Sequence, residues 1–306
     1  MSRVGAVDIG TNSIRLLVAD VEGGPDGTLA TLDRRMRITR LGQSVDATHR
    51  LAPEAVERTL AVVAEHGEAL RAAGVRATRA TATSAARDAT NRDEFFAEAT
   101  EALGTTPELL SGEEEGRLSF HGATAGLRDE PPPYLVVDIG GGSTEFAVGT
   151  TSPDASISVD VGCVRITEAY LRSDPPTAEE LSQAVSVVRD EVSEVARTLP
   201  GLDGVKTAVG LAGTITTVAA VEQGVPYSRE AIHGFRLSRQ AAEDVFRTVA
   251  LESAAQRRHN PGLEPARVDT IVGGAVVLVA VLRGLELDEL LVSEDDILDG
   301  LARSVA

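Results

Sequence analysis

Residues 138–145 read Asp-Ile-Gly-Gly-Gly-Ser-Thr-Glu, and their types and spacing suit the handling of phosphate. Gly140, Gly141 and Gly142 remove every Cβ from the run, so backbone N–H groups can come close to an anion. Ser143 and Thr144 add hydroxyl donors. Asp138 and Glu145 would repel a bare phosphate, which asks for a bridging divalent cation or a positioned water. Hard cations such as magnesium take oxygen ligands and keep several waters, so one or two carboxylates suffice. Three glycines alone would read as a plain hairpin turn. The flanking carboxylates, and a second copy of the segment, weigh against that.

The second copy is Ala6-Val7-Asp8-Ile9-Gly10-Thr11-Asn12-Ser13, continuing Ile14-Arg15-Leu16-Leu17-Val18, and it aligns on residues 136–148 without a gap. Thr11, Asn12 and Ser13 are expected phosphate contacts, although all three are also ordinary turn residues. Arg15 shares a strand face with Ser13 beside the turn and is read as a phosphate contact; a strand-edge role is the alternative. Asp8, the counterpart of Asp138, is assigned to the metal together with Asp138 and Glu145.

Three acids open a helix at Ser111-Gly112-Glu113-Glu114-Glu115. With Ser111 as N-cap, Glu114 falls at the reciprocal position of a capping box, and Glu113 suits the positive end of the helix dipole. Glu115 is left over, one turn in, as the candidate catalytic base; a solvated helix carboxylate is the alternative. An ordinary glutamate, with pKa about 4.3, orients water better than it deprotonates it. Loose phosphoryl-transfer transition states ask mainly for positioning and charge neutralisation. The segment 83–91 follows a strand, where open α/β sheets place ligands. Its Arg87 and Asn91 are expected phosphate contacts sharing a helical face, with Asn91 and Glu94 as a helix cap on the other reading. Gly213, in the turn at 210–214, offers another close approach. The five histidines show no metal-ligand spacing, and Cys163 reads as a small buried thiol. The locally basic loop 257–262, with Arg267 and Asp269, is either cleft lining or a connector.

These residues need a scaffold that repeats. Each copy predicts a hairpin, then a third strand at 29–37 or 157–161, then a long helix. The first helix spans about 53–73, with Val56, Leu60, Val63 and Leu70 on one stripe. In the second, Leu181, Val185, Val188, Val192, Val195 and Leu199 alternate steps of four and three, behind a capping box of Thr177 and Glu180. Strands recur at 77–82 and 207–211. The order β-β-β-α-β-α-β-α, twice, defines an α/β chain with two mixed sheets and helices against them. The boundary is placed at 126, giving domains 1–126 and 127–306, with the helix at about 295–306 either in the second domain or crossing back to the first.

The bulk numbers agree. The 306 residues suit two domains, and 42% hydrophobic content can bury real cores, built on aliphatic residues because aromatics make up only 3%. No run approaches the roughly 18 apolar residues of a bilayer span. The start lacks a signal-peptide pattern and the single cysteine excludes an internal disulfide, so the expected location is the cytoplasm, with no membrane partner. A net charge of −18 lacks the basic footprint of a nucleic-acid binder.

The ordered set VDIGTNSIRLLVAD, TSAARDATN, SGEEEGRLSF, VVDIGGGSTEFAVG, GLAGTITTVAA and PGLEPARVDTIVGGA resembles the exopolyphosphatase and guanosine pentaphosphate phosphohydrolase family over essentially the whole chain. The resemblance implies two duplicated ribonuclease H-like domains of the actin, Hsp70 and sugar-kinase superfamily, with an interdomain cleft. It also implies release of terminal phosphate from inorganic polyphosphate or guanosine pentaphosphate, dependence on magnesium with manganese as a substitute, and compatibility with a homodimer. The family's catalytic glutamate falls on Glu115, its metal and water carboxylates on Asp138 and Glu145. Its phosphate loop falls on residues 140–144, and the partner loop on Asn12, Ser13 and Arg15. Longer relatives carry further helical domains that hold long polyphosphate; short chains and weak processivity are the expectation here. A sugar or acetate kinase, or a non-catalytic alarmone sensor, are competing readings.

Overall fold

The computed structural model describes residues 2–24, 27–127 and 129–306. The chain divides into two compact units, Met1–Gly126 with Asp295–Ala306, and Leu127–Glu294. Residues 295–306 therefore count with the first unit.

In the first unit, β1 (Ser2–Ile9), β2 (Ser13–Glu22) and β3 (Thr28–Ile38) form an antiparallel meander. Then come α1 (Val45–Thr48), α2 (Pro53–Ala73), β4 (Ala77–Ala82), α3 (Ser84–Asp88), α4 (Arg92–Leu103), β5 (Glu108–Leu109) and α5 (Gly112–Thr124). The sheet order is β3-β2-β1-β4-β5, with β4 parallel to β1. β1 is central and covered on both faces, which is why it reads as a continuous apolar run. α2 starts at Pro53, stops at a left-handed Gly74, and buries Val63, His66 and Leu70; Val56 and Leu60 lie half-buried against the same core.

In the second unit, β6 (Tyr134–Ile139), β7 (Thr144–Gly149) and β8 (Pro153–Val159) repeat the meander. The third strand lies slightly earlier than the expected 157–161. α6 (Cys163–Tyr170), α7 (Ala178–Thr198), β9 (Thr207–Leu211) and α8 (Ala212–Gln223) follow. Next come α9 (Arg229–Ile232), β10 (Arg236–Ser238), α10 (Arg239–Leu251), α11 (Ala254–Arg257), α12 (Ile271–Gly284) and β11 (Glu289–Val292). The order β10-β11-β9-β6-β7-β8, read from its far end, repeats the first sheet with one edge strand added. That addition, α9 to α11 with β10, is not visible in the repeat. α7 carries its expected capping box and buries Val188, Val192 and Val195, each worth roughly 1.5–3 kcal/mol of burial. α12 is buried on every side from Ile271 to Leu282, so it is apolar all round.

α13 (Ile297–Ser304) belongs to the first unit and crosses α5 there. A Cβ on Gly122 would stand 1.8 Å from the Asp296 carbonyl, and one on Gly300 would stand 2.1 Å from that of Leu118, so the helices meet backbone to backbone. The pair is also equivalent in the repeat. Ser111 and Glu114 box the start of α5, and Asp296 and Asp299 box the start of α13. No helix among the described residues is long and apolar enough to cross a membrane.

Candidate active site

The β6–β7 hairpin sets Asp138 directly opposite Glu145. Residues in that relation point to one face with Cβ atoms about 5 Å apart. Asp138 is 5% exposed and Glu145 1%, so two carboxylates are buried side by side. Ser158 Oγ donates to Glu145 Oε1 at 2.7 Å. The turn between the strands directs its carbonyls into the protein. Gly140 O accepts from Cys163 N at 3.0 Å and Gly141 O from Val164 N at 2.8 Å, in the first turn of α6. Gly142 O accepts from Arg165 Nε at 2.9 Å. The N–H groups of Gly141 and Gly142 donate to no acceptor among the described residues. Thr144 departs from expectation: its hydroxyl donates to Val161 O at 2.6 Å and its side chain is fully buried, so it braces the loop rather than facing a ligand.

Gly213 also departs from expectation. A Cβ there would lie 2.0 Å from Arg267 Nη1, so this small residue admits an arginine instead of leaving an open approach. The expected turn at 212–214 is the first turn of α8, begun by Ala212 at a left-handed φ of 66°. Arg267 Nε donates to Glu264 Oε2 at 2.8 Å. Cys163 lies near it; burial pushes the thiol up, and the Arg267 charge works against that. Arg165 and Arg267 thus flank the second loop's surroundings. The sequence singled out Arg267 only within a basic stretch and Arg165 not at all. Arg257, from the same stretch, is buried and donates to Val249 O and Asp174, so it ties segments together.

The β1–β2 hairpin repeats the turn, Gly10 N donating to Ser13 O at 2.9 Å as Gly140 N donates to Ser143 O at 3.0 Å. Asn12 O accepts from Thr39 N and Arg40 N, Thr11 O from Gly42 N, and Thr11 Oγ1 from Ala85 N at 3.1 Å. Here Asp8 faces Arg15 across the strands. Arg15 donates to Asp8 Oδ2 through Nη2 at 2.6 Å and Nε at 3.1 Å, and also to Asp296. Arg34 bonds both Asp296 and Asp299 at 2.9 Å. Burial pushes the Asp8 carboxyl up, against the pull of Arg15, and Oδ1 is buried without a hydrogen-bond partner. Arg15 and Asp8 are thus each other's counter-ions within a buried network.

At the start of α5 the capping box forms as read, and hydrogen bonds from Ser111 hold the Glu114 carboxyl below its ordinary range. Glu115, 13% exposed, accepts from Arg87 Nη1 at 2.9 Å, and the same nitrogen donates to Leu110 O at 3.0 Å. Arg87 and Asn91 do not share a helix: α3 ends at Asp88 and Ala89 is extended. The Asn91 amide is taken up by Leu51, accepting from its N at 2.8 Å and donating to its O at 3.1 Å, and it makes no side-chain helix cap.

Among the described residues no three His, Cys, Asp or Glu side chains gather as a ligand set. The Asp138–Glu145 pair nevertheless fits a hard divalent cation whose remaining ligands are water and substrate oxygens. Asp8 fits less well, because Arg15 already balances its charge.

Two mixed sheets of matching strand order, each with helices against it, define a duplicated α/β fold. The Ppx/GppA phosphatase family model matches residues 17–304. The chain is 45% identical to "Exopolyphosphatase 2" of Mycobacterium tuberculosis, over 100% of this chain and 99% of that protein. A crystal structure of an exopolyphosphatase-like protein superposes with a TM-score of 0.93 at 37% identity, covering 99% of this chain and 100% of that one. The Aquifex aeolicus Ppx/GppA family member gives 0.82 at 33%, covering 99% and 97%. The chain belongs to the Ppx/GppA phosphatase family.

Proposed function

We propose that this protein is a cytoplasmic exopolyphosphatase, hydrolysing the terminal phosphoanhydride bond of inorganic polyphosphate with a divalent metal, magnesium or manganese. The observation that carries this reading is the buried Asp138–Glu145 pair beside a glycine loop whose N–H groups are available to an anion. It is supported by the likeness to an exopolyphosphatase along the full chain. Asp138 and Glu145 would hold the metal, which when bound supplies charge neutralisation for the phosphate oxygens. The Gly141 and Gly142 amides and the Ser143 hydroxyl bind the phosphoryl group. Glu115 accepts a hydrogen bond from the attacking water and orients it. Arg87 fixes that carboxylate in place, and the role of Glu115 is to position the water rather than to act as a strong base.

Phosphate release from short-chain polyphosphate, long-chain polyphosphate and guanosine pentaphosphate, with each metal, tests the reading. Wild type should release phosphate from polyphosphate, and Glu115→Ala should lose most of it. Guanosine pentaphosphate as the far better substrate would replace the substrate while keeping the chemistry. No release from any of the three would overturn it.

A further inference from the structure

The end of β3 next to the first loop carries positive charge that the chemistry above does not use. Residues 34–40 hold Arg34, Arg35, Arg37 and Arg40, with no carboxylate from there to Asp46, in a chain of net charge −18. Arg34 turns to the network on one face of the sheet. Arg35 and Arg37, two apart, lie on the other, about 7 Å apart along the strand. Arg35 is bridged to Asp33 at 2.6 Å, whereas exposed Arg37 donates to its neighbour's carbonyl, Met36 O, at 3.2 Å. Exposed Arg58 of α2 comes to the same place, donating to Thr39 O and Gln43 Oε1, each at 3.1 Å. Arg40 ties this segment to the first loop: its φ is 53°, a conformation that favours glycine, and its N–H bonds the Asn12 carbonyl at 2.9 Å. β3 is the outer strand of its sheet, so the row is not covered by another strand.

We propose that Arg37 and Arg58 form an exosite for a stretch of linear polyphosphate away from its reacting end. This rests on the exopolyphosphatase reading. Guanidinium forks match phosphate oxygens in pairs, and two of them against an acidic background make a local attractor for a chain of anionic units. No aromatic ring lies in the row, so the stacking that single-stranded nucleic acid uses is absent from it. The row is short, so it favours chains of moderate length and gains nothing from further extension. Remote binding of this kind lowers KM without changing kcat.

The test is Arg37→Glu with Arg58→Glu, assayed on tripolyphosphate and on long-chain polyphosphate. In parallel, equilibrium binding of labelled long-chain polyphosphate is measured across a salt series. The expected result is a KM for long chains raised about tenfold or more, kcat unchanged, tripolyphosphate kinetics unchanged, and weaker, less salt-dependent binding. Arg37→Lys with Arg58→Lys should retain most of the affinity. Equal effects on both substrates, or unchanged binding, would overturn the exosite, as would an equal loss of affinity for single-stranded RNA. If wild type hydrolyses neither polyphosphate, the function reading falls, while the binding measurement still decides the exosite.

Discussion

The two hairpins occupy equivalent places in equivalent sheets, and their turns close with the same hydrogen bond, yet the residue facing the buried aspartate differs. Opposite Asp8 stands Arg15; opposite Asp138 stands Glu145. The first copy balances its charge internally, drawing in Asp296, Asp299 and Arg34. The second brings two carboxylates together, an arrangement that a bound cation would stabilise. One duplicated strand pair has thus become a structural ion network in one unit and a metal-binding candidate in the other. The contrast extends to the long helices behind the sheets. α2 buries His66, where α7 buries only Ala184, Val188, Val192 and Val195.

The largest expected effect comes from breaking the first network. Arg15→Met leaves Asp8 and Asp296 buried without that counter-ion and should cost about 3–5 kcal/mol in urea unfolding, partly restored by adding Asp8→Asn. A loss below about 1 kcal/mol would mean that the two hairpins are equally dispensable for stability. In the second hairpin the effect should fall on turnover. Glu145→Gln should fold as well as wild type but release phosphate at least about a hundredfold more slowly, several kcal/mol of barrier. Activity near that of wild type would remove Glu145 from the metal assignment.

Acid should distinguish the units next. Burial, aided by Arg35 and Arg37, pushes His66 down to about 4. Between that pH and the ordinary histidine pKa near 6.5, the unfolded chain binds more protons than the folded one. Stability is therefore full above about 6.5 and falls as pH drops toward 4, by up to about 3 kcal/mol. Hydrogen exchange should show α2 opening before α7, and His66→Leu should flatten the dependence; an unchanged acid limb would sink the assignment. The smallest effect is thermal. Magnesium should raise the melting temperature of wild type by a few degrees and leave Asp138→Asn unmoved. An equal rise in both would place the metal elsewhere.

Legibility followed distance along the chain. The capping boxes of α5 and α7 could be read from four residues each, and that reading isolated Glu115 from its two acidic neighbours. Strand alternation likewise placed Asp138, Glu145, Asp8 and Arg15 at the turns. The fates of Arg15, Asn91 and Gly213 were not legible. Asp296 lies 281 residues beyond Arg15, Leu51 is 40 residues before Asn91, and Arg267 fills the space over Gly213 from a separate segment. Arg87 was expected at phosphate; it meets Glu115, 28 residues on.

By itself the amino-acid order determined the duplicated strand–turn–strand units, the long amphipathic helices and the residue types at each loop, because periodicity, capping and turn chemistry act within a few residues. Only the tertiary structure decided which charged side chains stand opposite one another. A buried carboxylate's character depends on what the fold brings across from it, arginine at one hairpin and glutamate at the other, and on the segments that return to cover it.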